Sequence, residues 1–177
     1  MIVSNSAKEV LRLLRRSNNV LIQGAPGTGK THLTNEVKEA FALVPPLPYD
    51  PSGPVPFPKV KDDVPSDIAE WLPSPGRTNR RIFQTVFHQG VKHRDFISGV
   101  VPLADGGSLR FKVQRGVLLA AAEHALLADG AALVVIEEIN RGPAVATFGG
   151  AIVSIESDKR LGDAGETTPG SVPFEAL

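Results

Sequence analysis

The feature that most constrains this chain is the octapeptide GAPGTGKT at residues 24–31. It fits the pattern G-x-x-x-x-G-K-[ST], whose glycines let backbone N–H groups turn inward around phosphate oxygens. An apolar run, Val20–Ile22, comes just before it, and apolar residues at helical spacing follow it. We therefore expect the motif between a buried strand and the N-terminus of a helix, which adds partial positive charge.

The motif residues have predicted roles toward a nucleoside triphosphate. The Lys30 ammonium is expected to reach the β- and γ-phosphates, and the Thr31 hydroxyl to bind Mg²⁺. The predicted nucleotide-contacting residues are Gly24, Ala25, Pro26, Gly27, Thr28, Gly29, Lys30, Thr31 and His32. The alternative is a Gly-rich turn that precedes a helix by chance. It is disfavoured because the fixed positions and the flanking pattern agree.

The composition excludes several other classes of protein. The 177 residues suit one domain, or one domain with an appendage, and 42% hydrophobic residues can form a core. The 19 basic residues balance the 19 acidic ones, so no global charge draws the chain to nucleic acid or membrane. Cysteine is absent, which excludes disulfides and thiolate metal sites. No apolar run has membrane-spanning length and no signal peptide is evident, so we expect a soluble, cytoplasmic protein.

Residues 4–17 are predicted to form a helix with a capping box made by Ser6 and Glu9. Its apolar stripe comprises Ala7, Val10, Leu11 and Leu14. Its basic cluster comprises Arg12, Arg15 and Arg16. A solvated helix face is the favoured interpretation of this cluster, and nucleic-acid contact is the alternative. A strand at Val20–Gln23 follows, and the helix after the motif should end near Val44, before two prolines.

Residues 45–75 hold ten of the fifteen prolines and are predicted to form an extended surface insertion. Trp71 and Leu72 are expected to pin its far end to the body of the protein. An ordered loop or linker is the favoured interpretation, and peptide recognition is the alternative.

A strand is predicted at Ile82–His88, followed by a β-hairpin of Val100–Leu103 and Leu109–Gln114 around a turn at residues 105–107. The second hairpin strand alternates apolar and polar residues, which predicts a half-buried strand. Residues 116–128 form a helix that is apolar nearly all round and is therefore expected to be buried.

Ala131–Ile136 is a continuous apolar strand of the kind found in parallel sheets. A last helix is predicted over 144–157, with Phe148, Ile152 and Ile155 on one side. The Gly149-Gly150 pair weakens that helix by roughly 2 kcal/mol relative to alanines. No further element is predicted after residue 160.

Two carboxylates, Glu137 and Glu138, follow the apolar strand, where a parallel sheet opens toward ligands. Glu137 is predicted to hold the water shell of Mg²⁺, and Glu138 to orient and polarise an attacking water. The alternative is a pair of solvated acids at a strand end. The four histidines show no metal spacing. Packing is the expected role of His32 and His124, and the role of His88 stays open.

Four stretches together resemble a known family: GAPGTGKT, FHQ with RDFISG, VVIEEINR, and FGGAIVSIESDKR. The combination, over about residues 7–162, resembles the AAA+ motor of the McrB type, the NTPase subunit of modified-cytosine-dependent restriction systems. Dynein-like and MoxR-like AAA+ proteins share part of the pattern. The most specific pieces are Phe87-His88-Gln89, Glu138-Ile139-Asn140-Arg141 and Asp158-Lys159-Arg160.

The resemblance implies an α/β fold, a P-loop NTPase three-layer αβα sandwich with a parallel sheet. Residues 1–162 would be the AAA+ core, incomplete at the C-terminus, with a surface insertion at 45–75, a β-hairpin insert at 99–114 and an irregular tail at 163–177. Such proteins form a ring, usually a hexamer, with nucleotide between neighbours and the hairpin toward the pore or a partner. The restriction rings engage a separate nuclease subunit, and DNA is recognised by an additional domain.

The sequence departs from this family in three ways. Glu137 stands where the family has Asp, the Pro-rich detour is long, and nothing after Leu161 matches the family's further strand with its polar sensor residue, arginine finger and helical lid. In AAA+ sheets the P-loop strand lies between two strands that are not matched here. We therefore expect either that Val20–Gln23 pairs abnormally with Ala131–Ile136 or, as favoured, that the chain is part of a longer protein.

The function predicted from these features is Mg²⁺-dependent binding and hydrolysis of ATP or GTP by an AAA+ module, with Lys30 and Glu138 catalytic. Hydrolysis by this chain alone is doubtful, since an arginine finger contributes roughly 10³–10⁵ in rate in GTPases. The alternatives are a nucleotide-binding scaffold or MoxR-like chaperone-type module with little hydrolysis of its own, and a small-molecule P-loop kinase. The Glu-Glu-Ile-Asn-Arg sequence argues against the kinase. No motif indicates a preference for ATP or GTP.

Overall fold

The computed structural model of the chain describes residues 3–43, 66–105 and 108–160. These form a mixed α/β structure with a small parallel sheet and a separate β-hairpin. The elements are α1 (Asn5–Ser17), α2 (Lys30–Ala42), α3 (Ser66–Ala69), β1 (Asn79–Val86), α4 (His93–Phe96), β2 (Ser98–Asp105), β3 (Ser108–Arg115), α5 (Val117–Ala125), β4 (Gly130–Glu137) and α6 (Ala144–Phe148). Short 3-10 segments lie at Ile139–Arg141, Gly149–Ile155 and Ser157–Lys159.

The described residues belong to two compact units. The first unit takes its residues from the ranges 1–82 and 127–133, and the second from the ranges 83–126 and 134–177. The predicted insertion and tail lie largely outside the described residues, which omit 44–65 and 161–177.

Helix α1, in the first unit, begins two residues earlier than the predicted capping box implies. Ser4 is the N-cap, with extended backbone, and its hydroxyl accepts a hydrogen bond from the Ala7 N–H at 3.2 Å. The same hydroxyl donates to the Glu36 carboxylate on α2 at 2.6 Å. The predicted box of Ser6 and Glu9 is therefore wrong, because Ser6 already lies inside the helix.

The turn after α3 is attached to α1, as expected for the far end of the Pro-rich segment. Trp71 and Leu72 are buried in the first unit. The Arg15 guanidinium donates to the carbonyls of Ala69 and Glu70, both at 2.7 Å. One member of the basic cluster thus holds the neighbouring turn, which is a structural role.

Arg80, also in the first unit, is a buried cation that donates hydrogen bonds to four backbone carbonyls. Its Nε donates to Phe41 at 2.6 Å and its Nη2 to Pro73 at 2.7 Å. Its Nη1 donates to Ser74 at 2.9 Å and to Arg77 at 3.1 Å. Burial lowers the pKa of Arg80 to about 10, so the guanidinium is still charged at neutral pH. It joins the C-terminal end of α2 to the turn that precedes β1.

The predicted strand at Val20–Gln23 is wrong. These residues adopt neither helix nor strand, and the Leu21 side chain is 65% exposed. The suggested pairing with Ala131–Ile136 is also wrong, because within the described residues β4 pairs with β1 alone. A strand requires a neighbour for its backbone N–H and C=O groups, and the described chain provides none for this stretch.

The β1–β4 pair confirms the other two predicted sheet strands, with slightly different bounds. The N–H of Asn79 donates to the carbonyl of Asp129 at 2.9 Å, and that of Phe87 donates to Glu137 at 2.8 Å. The sequence offset is the same in both bonds, so the strands run parallel. Their carboxyl ends, at Phe87 and Glu137, therefore lie side by side.

The core of the second unit is built on three phenylalanines. The ring centroids of Phe87 and Phe96 lie 5.4 Å apart, edge to face, and those of Phe96 and Phe148 lie 4.8 Å apart. Gly116 crosses this core closely, since an added Cβ would lie 2.3 Å from the Phe96 carbonyl carbon. The Gly116 N–H donates to the Ile97 carbonyl at 2.7 Å. The backbone just after β3 therefore contacts the backbone just after α4 too closely for a side chain at position 116.

The predicted hairpin is confirmed, but its half-buried character is wrong. Strands β2 and β3 place Val100 opposite Val113 and Pro102 opposite Phe111 in an antiparallel register. The apolar residues do share one face, yet Phe111 is 68% exposed and Val113 is 53% exposed. Only the start of β2, at Ser98, is buried among the described hairpin residues.

Two predicted helices are shorter or less buried than expected. Helix α5 buries Ala121 and His124, but the following Leu126 is 66% exposed, so all-round burial is wrong. The helix predicted over 144–157 is α-helical only as far as Phe148. Gly149 has a φ of 53° and ends it, and a 3-10 segment follows with Ile155 exposed.

Candidate functional site

The loop at residues 24–29 has the backbone conformation that its glycines permit. Gly27 has a φ of 78° and Gly29 a φ of 82°, both in the left-handed region. Residues with a Cβ rarely adopt these values, so backbone geometry explains glycine at the fixed position 29 and at the variable position 27 of the motif. Gly29 is also the N-cap of α2, which begins at Lys30.

Lys30 closes this loop into a ring. Its Nζ donates to the carbonyls of Gly24 and Ala25, both at 2.7 Å. The Thr28 hydroxyl donates to the same Ala25 carbonyl at 2.8 Å. An ammonium group has three donors, and the two carbonyls occupy two of them. The lysine that was predicted to bind phosphate therefore also organises the loop around it.

The start of α2 carries no competing negative charge. Its first turn contains no acidic residue, and Gly29 provides no side-chain cap for the first N–H groups. These N–H groups and the helix dipole favour an anion here, next to the Lys30 ammonium. Thr31 and His32 are exposed on the same turn, so the expected packing role of His32 is wrong. The expected packing of His124 is confirmed, with its ring centroid 5.8 Å from that of Phe83.

Glu137 is the last residue of β4 in the second unit and is held at both its backbone and its side chain. Its carbonyl accepts the Phe87 N–H, as described above. Its carboxylate oxygen Oε1 accepts a hydrogen bond from Nε2 of Gln84, on β1, at 3.0 Å. The carboxylate thus lies at the carboxyl end of two parallel strands, the position in which open α/β sheets bind ligands.

Glu138 turns the chain sharply away from the strand. Its backbone is left-handed, with φ 54° and ψ 39°, an uncommon conformation for a residue with a side chain. It precedes the 3-10 turn Ile139–Arg141, whose Arg141 Nε pairs with Glu138 Oε2 at 2.8 Å. Both side chains are largely exposed, so the ion pair is a weak one.

The segment that begins Phe87-His88 lies against the turn that follows Glu138. An added Cβ at Gly142 would be 3.1 Å from the His88 carbonyl oxygen. The His88 ring accepts the Gly90 N–H at Nδ1, at 3.1 Å, which leaves the proton of a neutral ring on Nε2. Two motif segments that are far apart in sequence are therefore in contact.

Sequence reasoning assigned no role to Gln84 or to the side chain of Arg141. The three-residue spacing of Glu138 and Arg141 was a usable signal, because one helical turn brings such side chains together. The Gln84 contact depends on the register of two strands, which a single sequence does not specify.

The donor atoms of the predicted metal residues suit Mg²⁺. Magnesium prefers oxygen ligands and is usually held by one or two carboxylates together with waters and phosphates. Thr31 and Glu137 offer a hydroxyl and a carboxylate of this kind. Within residues 3–43, 66–105 and 108–160 there is no cluster of three or more His, Asp or Glu side chains that could hold a metal by itself.

No helix among the described residues combines the length and hydrophobicity needed to cross a membrane.

No protein-family model matches the chain, and no curated protein matches it. The geometry of residues 24–31 and of the carboxyl ends of β1 and β4 is therefore what indicates function.

Proposed function

We propose that this chain binds a Mg²⁺–nucleoside triphosphate, ATP or GTP, at residues 24–31 and belongs to an NTP-hydrolysing module. The observation that supports this best is the closed loop around Lys30 at the start of α2. Gly27 and Gly29 in left-handed conformation, the N–H groups at the start of α2 and the Lys30 cation occur together beside a first helical turn that contains no acidic residue. This combination suits a polyphosphate better than it suits a neutral ligand.

In this proposal Lys30 contacts the β- and γ-phosphates with its remaining donor while two carbonyls hold the ammonium in place. Thr31 and Glu137 would hold Mg²⁺, directly or through its water, and the ion would neutralise charge on the phosphate oxygens. Glu138 would orient the attacking water and accept its proton. For this the Glu138 carboxylate has to exchange its Arg141 partner for the water, and a weak, exposed ion pair permits such an exchange.

The larger architecture is part of the same proposal. The parallel β1–β4 pair with carboxylates at its carboxyl end supports a P-loop NTPase three-layer sandwich of the AAA+ kind. The McrB-like motifs support a cytoplasmic ring, usually hexameric, that acts with a nuclease subunit and contacts DNA through another domain. An arginine finger would be supplied by residues other than those of the McrB-like motifs.

One observation favours a second function, a nucleotide-binding scaffold or MoxR-like chaperone-type module with little hydrolysis of its own. The Glu138 carboxylate is already paired with Arg141, at 2.8 Å, so the group that would polarise water is engaged. A turnover measurement in a complete ring separates this scaffold from the hydrolase.

Calorimetric titration with ATP and GTP, each with Mg²⁺, tests the binding site. We expect Lys30→Ala to weaken binding by about tenfold to a hundredfold, since it removes charge-assisted hydrogen bonds to phosphate. Lys38→Ala is the matched control, because it removes the same charge from the same helix two turns later. Equal affinity of the parent and Lys30→Ala for both nucleotides would overturn the proposal.

A further inference from the structure

The contact between Gln84 and Glu137 links two neighbouring strands at the end of the parallel sheet. Both residues lie in the second unit, and the bond joins Gln84 Nε2 to Glu137 Oε1 at 3.0 Å. The backbone bond from Phe87 to Glu137, three residues after Gln84, fixes the register that makes this contact. The side-chain pair is therefore set by the sheet itself and not by a loop.

The chemistry of the two groups defines the contact. An ionised carboxylate only accepts hydrogen bonds, so the amide nitrogen of Gln84 must be the group that faces it. A carboxylate has two oxygens, and restraint of Oε1 leaves Oε2 available to a hydrated cation. Gln84 is also neutral, so it restrains the side chain without cancelling its negative charge. Glu138, by contrast, is paired with a cation.

We propose that Gln84 is a positioning residue that orients the Glu137 carboxylate toward Mg²⁺ or its bound water. This inference rests on the proposed nucleotide site. Glutamate has one more rotatable bond than aspartate, and immobilising a Glu side chain costs rotamer freedom. A donor on the adjacent strand removes part of that cost before the cation arrives. Partners of this kind typically change metal affinity by about tenfold or more.

The test is the Mg²⁺ dependence of nucleotide binding, measured with fluorescent mant-ATP and mant-GTP in EDTA and across a Mg²⁺ titration. The midpoint of the titration is the Mg²⁺ concentration that produces half of the full change in nucleotide affinity. We expect Gln84→Leu to raise this midpoint by about tenfold, while the nucleotide affinity in EDTA stays at the parent value. Gln84→Asn, which keeps the amide but is one methylene shorter, should shift the midpoint in the same direction. Gln114→Leu, the same change on the exposed hairpin, should behave as the parent.

A double variant identifies the path of the effect. If Gln84 acts through Glu137, then Gln84→Leu should add no further Mg²⁺ shift to Glu137→Gln. Equal loss of affinity with and without Mg²⁺ would show that Gln84 only supports the fold, and an unchanged midpoint would show no role. Either result overturns the inference while nucleotide binding that depends on Lys30 stands. If the parent shows no such binding, the proposed function fails first, and the Gln84 inference fails with it.

Discussion

Arg80→Met should cost the first unit about 3 to 5 kcal/mol of unfolding free energy. The guanidinium donates to four backbone carbonyls and lies 4.2 Å from the ring centroid of Phe41. A lost hydrogen bond to a buried acceptor costs about 1 kcal/mol or more, and the cation–π contact adds about 1 kcal/mol. Relief of the buried charge offsets part of this loss, since methionine is apolar and fills a similar volume.

Trp71 provides the assay for Arg80→Met. It is the single tryptophan of the chain and is buried in the same unit as Arg80, so its fluorescence should report unfolding in urea. Arg16→Met is the matched control, because Arg16 is exposed in the last turn of α1. A cost for Arg80→Met no greater than that of the control would refute the reasoning.

The pH dependence of the Arg80 contribution follows from the direction of its pKa shift. Burial lowers the pKa of Arg80 in the folded state from its ordinary value to about 10, so between the two values the unfolded chain binds more protons. The contribution of Arg80 to the free energy of unfolding should therefore rise with pH only above about pH 10. The difference between the parent and Arg80→Met should accordingly be the same at about pH 6 and about pH 8.5.

Two further predictions concern the second unit. In a complete ring Glu138→Gln should bind triphosphate as the parent does but hydrolyse it at least tenfold more slowly, whereas Glu137→Gln should lower Mg²⁺–nucleotide affinity and rate together. Identical phenotypes in binding and single-turnover assays would show that these two roles are wrongly assigned. Thr147→Val should stabilise the protein by about 1 kcal/mol, because Oγ1 of Thr147 is buried without a hydrogen-bond partner in the described structure. Thermal unfolding checks this, with Thr147→Ala as the cavity-forming control. A lower midpoint for the valine variant than for the parent would reveal an unseen partner of the hydroxyl.

Local chemistry made several parts of this structure predictable from the sequence. Gly27 and Gly29 adopt left-handed backbone, and α2 starts at Lys30, because both features depend on residues within one turn. Local signals of the same kind predict that α2 ends before the proline pair. They also predict the apolar strand β4. The positions of Lys30, Glu137 and Glu138 along the chain relative to α2 and β4 were therefore predictable from short-range pattern.

Tertiary structure decided the features that depend on a distant neighbour. The apolar run Val20–Ile22 predicts a buried strand, yet it forms none and Leu21 is exposed, because a strand needs a partner to complete its backbone hydrogen bonds. The alternation of apolar and polar residues likewise predicts the apolar face of the hairpin, but the exposure of that face depends on what packs against it. The hydrogen bond from Gln84 to Glu137 exists because the register of β1 and β4 brings the two side chains together. A single sequence records the periodicity of each strand but not the alignment of one strand with another, and that alignment sets the surroundings of the Glu137 carboxylate.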